Sequence, residues 1–108
     1  MADTYKVLAQ SNPVATTLTD AYTVPASTST VISTIVVANR GAATSFRISI
    51  AVAGAADNNV QYIAYDVAIA ANESKSFTFG ITLATTDKIR VYATLATLSF
   101  NIFGVEKT

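Results

Sequence analysis

The chain has 108 residues, enough for one domain. Apolar residues make up 51% and charged residues 13%, whereas about a quarter of an ordinary soluble domain is charged. Surplus apolar surface usually ends up against a partner, so an oligomer or a docked component is expected. Seven basic and seven acidic residues cancel and lie scattered along the chain, which argues against a nucleic-acid or membrane footprint. Cys is absent, so the fold must stand on packing without disulfides.

The N-terminus, Met1-Ala2-Asp3-Thr4-Tyr5-Lys6, has no basic segment followed by an apolar stretch, so a signal peptide is not expected. The longest strongly apolar run, Ile35-Val36-Val37-Ala38, is too short to cross a bilayer.

Taken in chain order, the segments read as strands. Tyr5 to Gln10 is a short edge strand, or part of an arm over residues 1–13 that ends at Asn12-Pro13. Thr16 to Val24 places Leu18, Tyr22 and Val24 on one side. Val31 to Ala38 is apolar on both faces, as in a central strand. From Ser45 to Val52, Phe46, Ile48, Ile50 and Val52 alternate with Ser45, Arg47, Ser49 and Ala51. This period of two puts the large groups on one face of a strand. In Gln61 to Ile69 the same reading groups Ile63, Tyr65, Val67 and Ile69. Lys75 to Leu83 alternates Phe77, Phe79, Ile81 and Leu83 with small residues. Ile89 and Val91, and then Leu98, Phe100 and Ile102, complete the pattern.

Turn chemistry separates the runs at Pro25-Ala26-Ser27, Asn39-Arg40-Gly41, Gly54 to Asn59, Ala71 to Ser74 and Ala84 to Asp87. Asn39-Arg40-Gly41 offers residues suited to positive φ. The expected fold is an all-β, antiparallel two-sheet β-sandwich of about eight strands, with residues 14–108 as its single domain. Periodicity does not separate jelly-roll from immunoglobulin-like topology. The expected core is Phe46, Ile48, Ile50, Phe77, Phe79, Ile81, Ile89, Val91, Phe100 and Ile102.

Little in the sequence carries chemistry. His is absent, which removes the commonest general base and metal ligand. Lacking Cys as well, the chain has no ligands for an ordinary zinc site. A Ser nucleophile would need Lys6, Lys75, Lys88 or Lys107 as its base, and these read as solvated charges. Asp57, Glu73 and Asp87 fall in loops and Asp66 in or beside a strand, which favours turn-forming and solubilising roles over a glycosidase pair. Asp57-Asn58-Asn59 offers oxygen ligands, but no calcium-loop spacing follows it. Asn72-Glu73-Ser74 matches a glycosylation sequon, which reads as a chance match in a turn. No enzyme activity, cofactor or metal is expected. Among the aromatics, Tyr62, Tyr65 and Tyr92 are surface candidates, Tyr62 and Tyr92 being opposite in phase to the apolar face.

One pattern is more specific. Tyr22-Thr23-Val24-Pro25-Ala26 leads into Val31 to Arg40, then Phe46 to Ile50, Tyr62 to Asp66 and Ile69 to Ser74. Gly80 to Leu83, Asp87 to Ala93 and Leu98 to Gly104 close the set. In this order it resembles small β-sandwich virion proteins of tailed bacteriophages, over roughly residues 14–104. These serve as capsid decoration (cement) proteins or as tail and baseplate accessory modules. The resemblance implies a non-enzymatic structural protein of the virion, made in the host bacterial cytoplasm, with capsid decoration favoured over a tail part. It also implies a homo-oligomer, a trimer first, attached to another virion protein such as the major capsid protein. The alternative class is a carbohydrate-binding or adhesin sandwich. Tyr5, Val7, Leu8, Tyr62 and Tyr92 are the expected partner contacts: the first three are too apolar for a solvated tail, and an N-terminal arm could add a strand to a neighbour's edge.

Overall fold

The structure is a computed structural model that describes residues 2–108. It has nine strands: β1 (Asp3–Ser11), β2 (Thr19–Thr23), β3 (Ser29–Asn39), β4 (Thr44–Ala51), β5 (Tyr62–Ile69), β6 (Ser74–Phe77), β7 (Ile81–Leu83), β8 (Lys88–Ala93) and β9 (Leu98–Lys107). Two single 3-10 turns, Val52–Gly54 and Asn59–Gln61, lie between β4 and β5. One sheet runs β1-β9-β3-β6, with β7 continuing the β6 position along β3; the other runs β2-β8-β4-β5.

Every pairing is antiparallel. Taking β6 and β7 as one interrupted strand, first pairs with last (β1 with β9), second with penultimate (β2 with β8), and so inward to β4 with β5. That nesting is a long hairpin rolled around a core, the jelly-roll arrangement, and it decides a topology that periodicity left open.

The two sheets press their apolar faces together. Phe46, Ile48, Ile89 and Val91 from one meet Ile35, Val37, Phe100 and Ile102 from the other, all fully buried. Phe46 is the hinge of this packing, its ring edge-on to Phe77 at 5.8 Å and to Phe100 at 5.9 Å. Such pairs add to what area burial alone contributes. β8 and β9 follow strict alternation: Ile89, Val91, Leu98, Phe100 and Ile102 point in.

Elsewhere bulges shift the phase. The expected strand from Lys75 to Leu83 is broken at residues 78–80, where Gly80 has φ of +69°. β3 bulges between Ile32 and Thr34 at the same level, so both ladders beside it are disturbed there. The broken segment carries Phe79 out of the core, where it is 45% exposed and stacks on Phe77 at 5.1 Å. Ile50, Phe77 and Ile81 are only partly buried, and Val52 leaves the strand and is exposed. In β5 an extra residue is inserted between Ala64 and Val67. Ala64, Val67 and Ile69 therefore face the core, while Ile63 and Tyr65 face solvent.

The Asn39-Arg40-Gly41 turn does not use positive φ. Asn39 works through its side chain instead. Its Nδ2 donates to the carbonyls of Ala42 (2.8 Å) and Ala70 (3.1 Å), and its Oδ1 accepts from Gly41 N and Thr97 Oγ1, both at 3.0 Å. One buried amide thus ties three loops at one end of the sandwich, with every hydrogen-bonding position used.

Candidate binding surfaces

The sandwich presents two outer faces of opposite chemistry. On the five-stranded sheet, cross-strand register builds rows. Tyr5, Val105, Val31 and Thr82 form one; Val7, Phe103 and Thr34 form the next; Gln10, Asn101, Val36 and Ser76 follow. Alternation places these side chains opposite the buried set. Among the described residues, none in these rows is charged. Asp3 and Lys107 bound the band at one end, and Arg40 bounds it at the other through its 3.1 Å bond to Ser99 Oγ. Tyr5 is 79% exposed, and Val7 and Val31 are exposed as well. A shallow open depression lies within the band, lined by Tyr5, Lys6, Ser33, Phe103, Gly104 and Val105.

β1 is the outer strand of this sheet and is laddered to β9 along its length. Of the three N-terminal residues expected at a partner, Tyr5 and Val7 point outward. Leu8 does not: the bulge between Val7 and Ala9 turns it against the core, beside Gly104.

The outer face of the four-stranded sheet is polar and aromatic. Arg47 on β4 sits between its register partner Tyr92 on β8 and Tyr65 on β5. Its guanidinium carbon lies 4.1 Å from the Tyr65 ring centre and 4.6 Å from that of Tyr92. Its Nε and Nη2 donate to the two carboxylate oxygens of Asp66 at 2.6 and 3.4 Å. This fork, above all, raises the guanidinium's already high pKa. Tyr62 meets Tyr65 edge-on at 5.0 Å. Burial, and next a hydrogen bond to Asp57, push the Tyr62 hydroxyl above its ordinary pKa.

The same face holds a second charge cluster. Asp20 accepts from Lys88 Nζ at 2.7 Å and from Arg90 Nε at 2.9 Å, and these bonds hold its carboxyl below the usual range. Arg90 also donates to the carbonyls of Ala55 (2.7 Å) and Gly54 (3.2 Å), which pins the 54–59 loop beside the sheet.

The structure thus brings Tyr62 and Tyr92 together through Tyr65 and Arg47, and places Tyr5 and Val7 on the opposite face. Arg47 was readable as outward-facing from its alternation with Phe46 and Ile48, but nothing local linked it to Asp66. The remaining acids are spread apart. Glu73 accepts from Ala70 N, and Asp87 from Ala53 N and Ala84 N, so both brace turns. Among the described residues no cluster of three metal-ligating side chains forms. No family model and no curated protein matches the chain.

Proposed function

We propose that this chain is a non-enzymatic structural protein of a tailed-bacteriophage virion, a capsid decoration protein that stabilises the particle. The observation that carries this reading is the partly apolar band on the five-stranded sheet, built from Tyr5, Val7, Val31, Phe103 and Val105, whose one nearby charge, Lys6, is ion-paired to Glu106. Docking a face with few charges limits the desolvation of ions, one of the costs of burying a surface. A rigid sandwich whose loops are tied by Asn39 also loses little freedom on binding. The jelly-roll is common among viral capsid domains, which agrees with the resemblance seen in the sequence but is fold-level analogy. In this reading the chain self-associates, a trimer being the expected form, and the band meets another virion protein such as the major capsid protein.

Co-sedimentation of the purified chain with tailed-phage particles, followed by electron microscopy, tests the proposal. Ordered density at capsid symmetry positions, lost in Phe103→Lys, is expected. Density confined to the tail would move the protein to the accessory class. A chain that binds no particle overturns the proposal.

A further inference from the structure

From the opposite face we infer a weak binding site for neutral carbohydrate, formed by Tyr65, Tyr92, Arg47 and Asp66 with Tyr62 at its edge. It stands whether or not the chain docks through the five-stranded sheet.

The first argument is backbone conformation. β5 inserts its extra residue beside Arg47, between the pairs Phe46–Val67 and Ile48–Ala64. Asp66 there has φ of +50°, a left-handed conformation that a non-glycine residue rarely holds inside a strand. In a regular strand Tyr65 and Asp66 would point to opposite faces. The bulge turns both outward, one to stack on Arg47 and the other to ion-pair with it. The same insertion brings Val67 and Ile69 to the core, so one irregularity in β5 builds both the packing inside and the Tyr65–Arg47–Asp66 cluster outside.

The second argument is chemical fit. The surface is open, and Tyr65 is 56% exposed. A pyranose ring has a C–H face that stacks on an aromatic ring, and neighbouring hydroxyls that can pair with a carboxylate and a guanidinium at once. Those groups converge here. A phosphate-bearing ligand fits worse, because Asp66 already neutralises Arg47. An apolar peptide fits worse too, because it would desolvate that ion pair.

The test is a 1H–15N titration of the full chain with the methyl glycosides of glucose, galactose, mannose and N-acetylglucosamine, and with oligosaccharides of each. At least one should shift the amides of Arg47, Tyr65, Asp66 and Tyr92 saturably, with a millimolar Kd. Tyr65→Ala should weaken binding about tenfold or more, the loss of one main contact, while Tyr65→Phe keeps most of it. Tyr5→Ala, on the other face, should change nothing. If Tyr65→Ala loses native peak dispersion, Asp66→Asn takes its place and should likewise weaken binding. No saturable shift with any sugar, or undiminished binding by the folded variants, overturns the inference. Neither outcome bears on particle binding, which Phe103→Lys reads separately.

Discussion

The Tyr22 hydroxyl donates a 2.6 Å hydrogen bond to Glu106 Oε2 across the interior, joining the two sheets through a buried polar contact. Because that proton is committed, Thr30 Oγ1 donates to the tyrosine oxygen at 2.9 Å. Lys6 Nζ closes the network on Glu106 Oε1 at 2.8 Å. Here β1, β2, β3 and β9 meet, so the network fixes how the edge strand and both sheets sit together.

The network makes stability fall at both ends of the pH scale. Glu106 is held below its ordinary 4.5, first by Lys6 and then by Tyr22, against the opposing effect of burial. Its contribution is present above the unfolded value and is lost as pH falls through the lower folded value. Tyr22 is pushed up to about 12, by burial and then by Glu106. Its contribution is complete below the ordinary 10.0 and disappears as pH rises through about 12. Urea unfolding across pH should show Glu106→Gln flattening the acid limb and Tyr22→Phe the alkaline one. At neutral pH Tyr22→Phe should cost ~1–3 kcal/mol, the usual penalty for stripping a buried partner. A Tyr22→Phe profile whose alkaline limb is undiminished would remove Tyr22 from this role.

Gly104 has no room for a side chain. A Cβ there would collide with the Val31 carbonyl oxygen and lie 3.1 Å from Ile32 Cα, both backbone atoms of the paired strand β3. Gly104→Ala must push β9 away from β3, at about 1–3 kcal/mol or more for an overpacked site. Thermal melting should show a clear drop in Tm, and an unchanged Tm would mean that the strands are not this close.

Two phenylalanines from similar alternating runs should behave differently. Phe46→Ala empties the aromatic centre of the core and should cost ~3–5 kcal/mol. Phe79→Ala removes a half-exposed ring stacked on Phe77, and should cost less than ~1 kcal/mol. Equal losses in chemical denaturation would contradict the break at residues 78–80.

These cases show where period-two reading works. It holds wherever a ladder is regular, so Ile89, Val91, Phe100 and Ile102 were legible as core. It fails past each bulge, because one extra residue reverses every later side chain. That is why Ile63 and Tyr65 changed faces, whereas Phe79 and Val52 left the core where their strands break or end. The bulges carry weak local signals: Asp66 looks like any strand residue until its pairing with Arg47 is known. Tyr22 and Glu106 are 84 positions apart, and no local pattern links them. The pairing order that defines the jelly-roll is likewise set by long-range contacts. Tyr62 and Tyr92 are outward by phase and Tyr65 is not, so the convergence of Tyr65 and Tyr92 on Arg47 required the fold.

Sedimentation analysis of the intact chain over a wide concentration range, beside Phe103→Lys, tests most directly whether the apolar band is an assembly surface. Phe103 lies at the middle of that band, and a buried lysine there would be strongly unfavourable. The wild-type chain should sediment as a discrete oligomer, with the mass of a trimer, or as a species whose mass rises with concentration. The variant should remain folded and shift to the monomer. A wild-type chain that stays monomeric at every concentration and binds no particle would contradict the account.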